Sequence, residues 1–146
     1  MGETKMNYNY LEEACQLNDE LVAYRRYLHA NPELGLSLPG TKAYVMQALS
    51  VLGSQPLEYG EPGVAVLAGG KKPGKVFLIR ADMDALPREE ESGVPYASRT
   101  KGRMHPCGHD NHTAILLRPA QRLNRPEDEI DGTVNILLQP GDATPE

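Results

Sequence analysis

The stretch Val76-Phe77-Leu78-Ile79-Arg80-Ala81-Asp82-Met83-Asp84-Ala85-Leu86-Pro87 decides the fold class. Its first four residues form a continuous apolar run, the pattern of a strand covered on both faces. Charged side chains follow at once. Asp82 and Asp84, two apart, would share a side of an extended segment. The carboxyl end of a buried strand is also where open α/β sheets place their ligand sites. Taken alone, the pair reads equally well as an acidic turn capping a strand.

Outward from this stretch, residues 63–68 and a short segment at 55–59 read as further strands, with 69–74 as the turn that leads into the strand at 75–81. From about Tyr8 to Ala30, Leu11, Ala14, Cys15, Leu21, Val22 and Leu28 fall on one helical face, which predicts a single helix with Cys15 as a small buried hydrophobe. Asn31-Pro32 ends it, because a residue before proline avoids the helical region. His29, in its last turn, reads as a residue that satisfies helix carbonyls rather than as a ligand. Pro39-Gly40-Thr41 opens a second helix with Thr41 as its N-cap; Val45, Ala48, Leu49 and Leu52 are its buried stripe and Gly53 its C′ residue. Residues 113–124 read as a helix interrupted by Pro119, and 133–138 as the last strand. The order helix, helix, strands, helix, strand is that of an α/β sandwich, and 146 residues suit one domain.

Composition excludes several classes. The apolar share of 40% and charged share of 24% are those of a water-soluble chain, and 12 prolines with 14 glycines favour short elements joined by turns. A formal charge of −5, no basic run, one Phe and no Trp argue against nucleic-acid binding. No apolar run approaches membrane-spanning length, and Met1 to Met6 carries neither a secretory signal nor a myristoylation site, so the expected location is cytoplasmic. Cys15 and Cys107 are far apart and do not suggest a disulfide framework.

The chemistry concentrates in Arg103-Met104-His105-Pro106-Cys107-Gly108-His109-Asp110-Asn111-His112-Thr113, which holds three of the chain's four histidines and one of its two cysteines. Imidazole, thiolate and carboxylate are transition-metal ligands, and Cys107-x-His109 presents two of them from one short loop. Gly108 between them permits a backbone dihedral that other residues resist. The helix that follows puts the cluster at a helix N-terminus, which favours thiolate or carboxylate. A cysteine nucleophile at Cys107, activated by His109 or His112 and oriented by Asp110, is an alternative. A nucleobase-deaminase reading fails because Pro106-Cys107 lacks the second cysteine of that pattern.

With these residues in hand, the chain resembles the N-terminal part of the metal-dependent amidohydrolases that include hippurate hydrolase, N-acyl-amino-acid hydrolases and indole-acetyl-amino-acid hydrolases. The resemblance rests on Arg25 to His29 with Pro32-Glu33-Leu34-Gly35, on Arg80 to Pro87, on Met104-His105 through His112-Thr113-Ala114, and on Gly132-Thr133-Val134 leading to Gln139-Pro140. It implies a three-layer α/β/α sandwich of the two-metal aminopeptidase and carboxypeptidase type. Residues 1–146 would then be the N-terminal part of the catalytic domain, with the lid or dimerisation domain and the C-terminal half absent. It further implies Cys107 and His109 as metal ligands, Asp84 as the residue that orients a ligand, Asp142 as the general base, and up to two manganese or zinc ions. Asp82, His112 and Asp110 stand by as outer partners or substitute ligands. The implied substrate is a small N-acyl amino acid and the reaction is hydrolysis of its amide bond.

Departures from the family pattern set further expectations. The family usually has Ala-Glu-Glu after Gln-Pro, where this chain has Gly141-Asp142-Ala143; the base is one methylene shorter and Ala143 replaces a ligand. Pro106 and Asn111 replace small residues, and Arg118-Pro119 breaks into the helix. The expectation is a truncated half-domain inactive alone. The other reading is a non-catalytic remnant that binds a metal ion or a partner protein, with self-association through an exposed apolar surface.

Overall fold

The structure is a computed structural model that describes residues 9–123 and 130–141. The expected first helix is two: α1 (Tyr10–Gln16) and α2 (Asn18–Ala30), parted at Leu17. The Asn9 side chain accepts the Glu12 N–H at 3.2 Å and so caps α1, while Asp19 and Glu20 stabilise the positive N-terminal end of α2. The break takes α1 out of the core: Leu11 is 75% exposed and Cys15 is exposed, so the burial read for Cys15 from one continuous stripe does not hold. At its other end α2 stops before Pro32, as the sequence predicts.

The helix α3 (Pro39–Val51) starts earlier than Thr41, with Pro39 in its first turn, where a missing N–H costs nothing. Thr41 is not its cap. The Glu33 carboxylate caps it instead, accepting the N–H groups of Gly40 at 3.0 Å and Thr41 at 2.6 Å. Gly53 closes the helix as predicted: at φ +83° its N–H bonds the Ser50 carbonyl while the Ser54 N–H reaches back to Leu49.

Four strands, β1 (Leu57–Tyr59), β2 (Gly63–Gly69), β3 (Lys72–Asp82) and β4 (Asp131–Gln139), form one mixed sheet in the order β1-β2-β4-β3. The β1-β2 and β2-β4 pairs are antiparallel and β3-β4 is parallel. Val64, Val66, Ile136 and Leu138 point to one face, where Val45, Ala48 and Leu49 of α3 cover them together with Leu116, Leu117 and Ala120 of α4 (His109–Arg122). The opposite face carries Leu67, Val76 and Leu78 at 60%, 71% and 66% exposure. Coverage of β3 on both faces is therefore not observed. It is an edge strand of the described sheet, and even Phe77, registered against Val134 on the covered face, is 53% exposed.

Nor does Pro119 interrupt α4, which runs through it to Arg122. The helical bond that proline forfeits is to the carbonyl of Ile115, a residue 58% exposed, and the Leu123 N–H still bonds Pro119 at 2.9 Å. Arg118 beside it is buried and pairs with Glu20 of α2. No helix among the described residues is long and apolar enough to cross a membrane.

The segments singled out in the sequence meet beyond the carboxyl end of β3. The Ala85 N–H bonds the Glu33 carbonyl at 2.7 Å, and Leu86 pairs with Met104 through two backbone bonds of 2.9 and 3.1 Å. These bonds fix the loop after Asp84 between the end of α2 and the start of α4.

Candidate metal centre

The helix α4 begins at His109, four residues before the sequence pattern shows it. Gly108 precedes it at φ +88°, a conformation glycine adopts without strain, and its carbonyl receives the N–H groups of Asn111 and His112. His109 and His112 are three apart and so leave the first turn side by side, with ring centroids 5.6 Å apart. Both face the end of β3. His112 Nδ1 lies 2.7 Å from Asp82 Oδ1, and His109 Nε2 lies 3.6 Å from Asp82 Oδ2.

Asp84 sits on the other side of the His109 ring. Its Oδ1 is 2.8 Å and its carbonyl 3.0 Å from His109 Nδ1, so that nitrogen is the donor to Asp84 and Nε2 is turned toward Asp82. A carboxylate behind a ligating imidazole fixes both its tautomer and its direction. Asp84 is 2% exposed, and its Oδ2 finds no hydrogen-bond partner among the described residues. Gly141 packs directly on this carboxylate: a Cβ placed there would fall 1.9–2.0 Å from its atoms.

Among the described residues, one group of three ligand-type side chains has donor atoms all within 4.8 Å of one another, and it is Asp82, His109 and His112. Two imidazoles and a carboxylate are a donor set that suits zinc or manganese. Burial alone would raise the pKa of Asp82, but the hydrogen bond from His112 and the nearness of His109 outweigh it and hold the carboxyl below its usual range. Cys107 is exposed and lies outside the group of three. Asp142 falls outside the described residues.

Asp110, expected beside the metal ligands, faces the other way. Its Oδ2 accepts from Arg25 Nε at 2.8 Å and meets His29 Nδ1 at 2.7 Å, while Oδ1 accepts the Asn111 N–H. It therefore does not orient His109 or His112 as a cysteine-nucleophile reading requires. His29 is neither a carbonyl cap nor a metal-facing residue. It is 5% exposed and bridges Asp110 to Glu90, whose Oε1 is 3.0 Å from Nε2. Sequence reasoning missed this cluster; the one local sign was Arg25 four residues before His29, whose Nη2 lies 3.2 Å from Nδ1. His105 is buried too, and burial takes its pKa down to about 4 against the opposing pull of Asp110.

Glu90 gives this cluster a signature in acid. Burial would raise its pKa, but the Ser92 hydroxyl, the Ser98 N–H and His29 together bring it down from 4.5 to about 2. A carboxyl whose folded pKa lies below its unfolded one adds stability that is complete above the unfolded value and fades as pH falls toward the folded one. Urea midpoints measured between pH 4.5 and 2 should therefore fall more steeply for the parent chain than for Glu90→Gln. Equal slopes would contradict the assignment.

Residues 78–142 match the family model described as Peptidase family M20/M25/M40. An N-acyl-L-amino acid amidohydrolase of Geobacillus stearothermophilus is 43% identical over 135 residues, which cover 88% of this chain and 36% of that protein. An N-acetyl-L-cysteine deacetylase of Bacillus subtilis is 41% identical over 128 residues, 86% of this chain and 30% of its own length. Among solved structures, a Bacillus subtilis dinuclear metal-binding peptidase from the M20 family superposes with a TM-score of 0.79 at 36% identity, over 87% of this chain and 36% of that one. The chain thus spans about a third of the length of the curated relatives it matches.

Proposed function

We propose that the chain, whose residues 78–142 match the model of peptidase family M20/M25/M40, forms the N-terminal part of a catalytic domain that hydrolyses the amide bond of N-acyl amino acids with the help of a divalent metal. The observation that carries this reading is the hydrogen bond from His109 Nδ1 to Asp84, which turns Nε2 toward Asp82 and His112. His109 and Cys107 are the proposed ligands, with Asp82 and His112 in reach to complete the sphere of a manganese or zinc ion. When bound, such an ion lowers the pKa of a coordinated water and polarises an acyl carbonyl.

The chain's own groups supply the rest. Asp84 keeps the His109 ring in one tautomer and one direction. Asp142 is proposed as the group that takes the proton from water and returns it to the leaving amine, a task for a carboxylate within hydrogen-bond reach. It follows Gly141, which rests on Asp84. Alone, the 146-residue chain is proposed to be inactive, since its described residues gather one group of three donors and residue 143 is an alanine where the family has a ligand. The open apolar face of the sheet supports a second reading, in which the chain holds an ion or a partner protein without catalysis.

Elemental analysis of the purified chain beside Cys107→Ala tests the first reading. Near-stoichiometric zinc or manganese that drops in the variant is the expected result; equal metal in both would remove Cys107 from the ligand set. Metal-dependent turnover of an N-acyl amino acid by the parent chain would overturn the proposed inactivity. Mass by light scattering that rises with concentration favours the second reading.

A further inference from the structure

The buried groups behind α4 have no part in the chemistry proposed above, yet they are more strongly bonded than the metal-facing ones. Asp110 is 1% exposed and receives Arg25, His29 and the Asn111 N–H. His29 spans from Asp110 to Glu90, so each ring nitrogen lies within 3.0 Å of a carboxylate oxygen, and Arg25 joins it on Asp110. Tyr96 closes the cluster, its ring 5.6 Å from that of His29 and under the guanidinium groups of Arg25 and Arg26 at 5.0 and 4.8 Å.

Such a cluster is a poor way to gain stability. Apolar side chains of the same volume would hold α2 against α4 at least as well, because burying charged side chains carries a desolvation cost. What hydrogen-bonded charges add is direction. Asp110 belongs to the first turn of α4, between His109 and His112, and side chains on one turn are rigidly related. Fixing Asp110 from behind fixes the rotation of that turn about its axis, and with it the angle at which both imidazoles leave it.

We propose that His29 is a positioning residue for the metal centre: by tying Asp110 to Glu90 it sets the rotation of the first turn of α4 and so aims His109 and His112 at Asp82. This rests on the reading of His109 and His112 as metal-facing residues. Asp84 holds His109 from the front, and His29 acts from behind.

The test compares His29→Ala, Glu90→Gln and Val45→Ala in the full 146-residue chain. Val45 is fully buried in α3, at the core and not in this cluster, so its variant controls for lost stability alone. Two readouts are taken: Zn²⁺ affinity by chelator competition, and the ¹H–¹⁵N resonances of the His109 and His112 rings before metal is added. His29→Ala should weaken Zn²⁺ binding about 10-fold, the scale of an outer-shell lesion, and should shift both ring signals, while Val45→Ala should do neither. Glu90→Gln should act in the same direction to a smaller extent, and it carries the test if His29→Ala does not fold. Unchanged affinity and unchanged ring signals in both cluster variants would overturn the proposal, as would an equal loss in Val45→Ala. If the parent chain binds no Zn²⁺, the metal reading fails by itself, and the ring signals of the metal-free chain still decide whether His29 aims them.

Discussion

Gly141→Ala should weaken Zn²⁺ binding about as much as Asp84→Asn, on the order of 10- to 100-fold, although it removes no donor atom. The added Cβ would fall 1.9–2.0 Å from the Asp84 carboxylate, far inside contact distance. Something has to move, and the carboxylate, at the end of a side chain with two rotatable bonds, yields before the backbone does. Its 2.8 Å bond to His109 Nδ1 is then lost, and only the Asp84 carbonyl, at 3.0 Å, still holds the imidazole with Nε2 toward Asp82. Because both substitutions break one interaction, their effects should not add, and the double variant should bind about as well as either single one. Calorimetric titration with Zn²⁺ measures all four proteins. Parent-like binding by Gly141→Ala would show that the Asp84 carboxylate does not aim His109.

Leu117→Ala should cost about 3 kcal/mol of folding stability, within the roughly 2–5 kcal/mol found for leucine truncations in packed cores. Leu117 is fully buried on α4 and belongs to the core that joins α3, β2 and β4. Against a total of about 5–15 kcal/mol for an ordinary domain, that is a large share. Two residues earlier on the same helix, Ile115 is 58% exposed, and its replacement by alanine should change stability by no more than about 0.5 kcal/mol. Urea midpoints of the two variants make the comparison. A similar loss in both would mean that the face of α4 carrying Ile115 is covered.

These outcomes bear on how much the sequence reveals. The strands at 63–68 and 133–138 and the glycine stop of α3 are legible because their signals are local. Asp84 and His109 are legible because each stands in a dense motif. Glu33 as the cap of α3 is not, since the carboxylate reaches forward to Gly40 and Thr41 across a turn. The role of His29 is less legible still: its carboxylate partners lie 81 and 61 residues away, and Arg25, four residues before it, is the one sign near position 29. The exposure of β3 escapes for another reason. An apolar run tells what a strand is able to bury, whereas its place at the edge of the sheet decides what it does bury.

The sheet also constrains the order in which its strands can pair. Consecutive strands β2 and β3 do not pair with each other; both pair with β4, the last of the described strands and an inner one in the sheet. On a ribosome, β2 and β3 therefore emerge well before the segment that joins them, and α4 emerges in the interval. Non-local pairing of this kind closes a long loop before it gains any bond, which makes it slow. Until Asp131 to Gln139 arrives, Val76 to Ile79 is an unpaired apolar strand, the kind of segment that other nascent chains bind and chaperones shield.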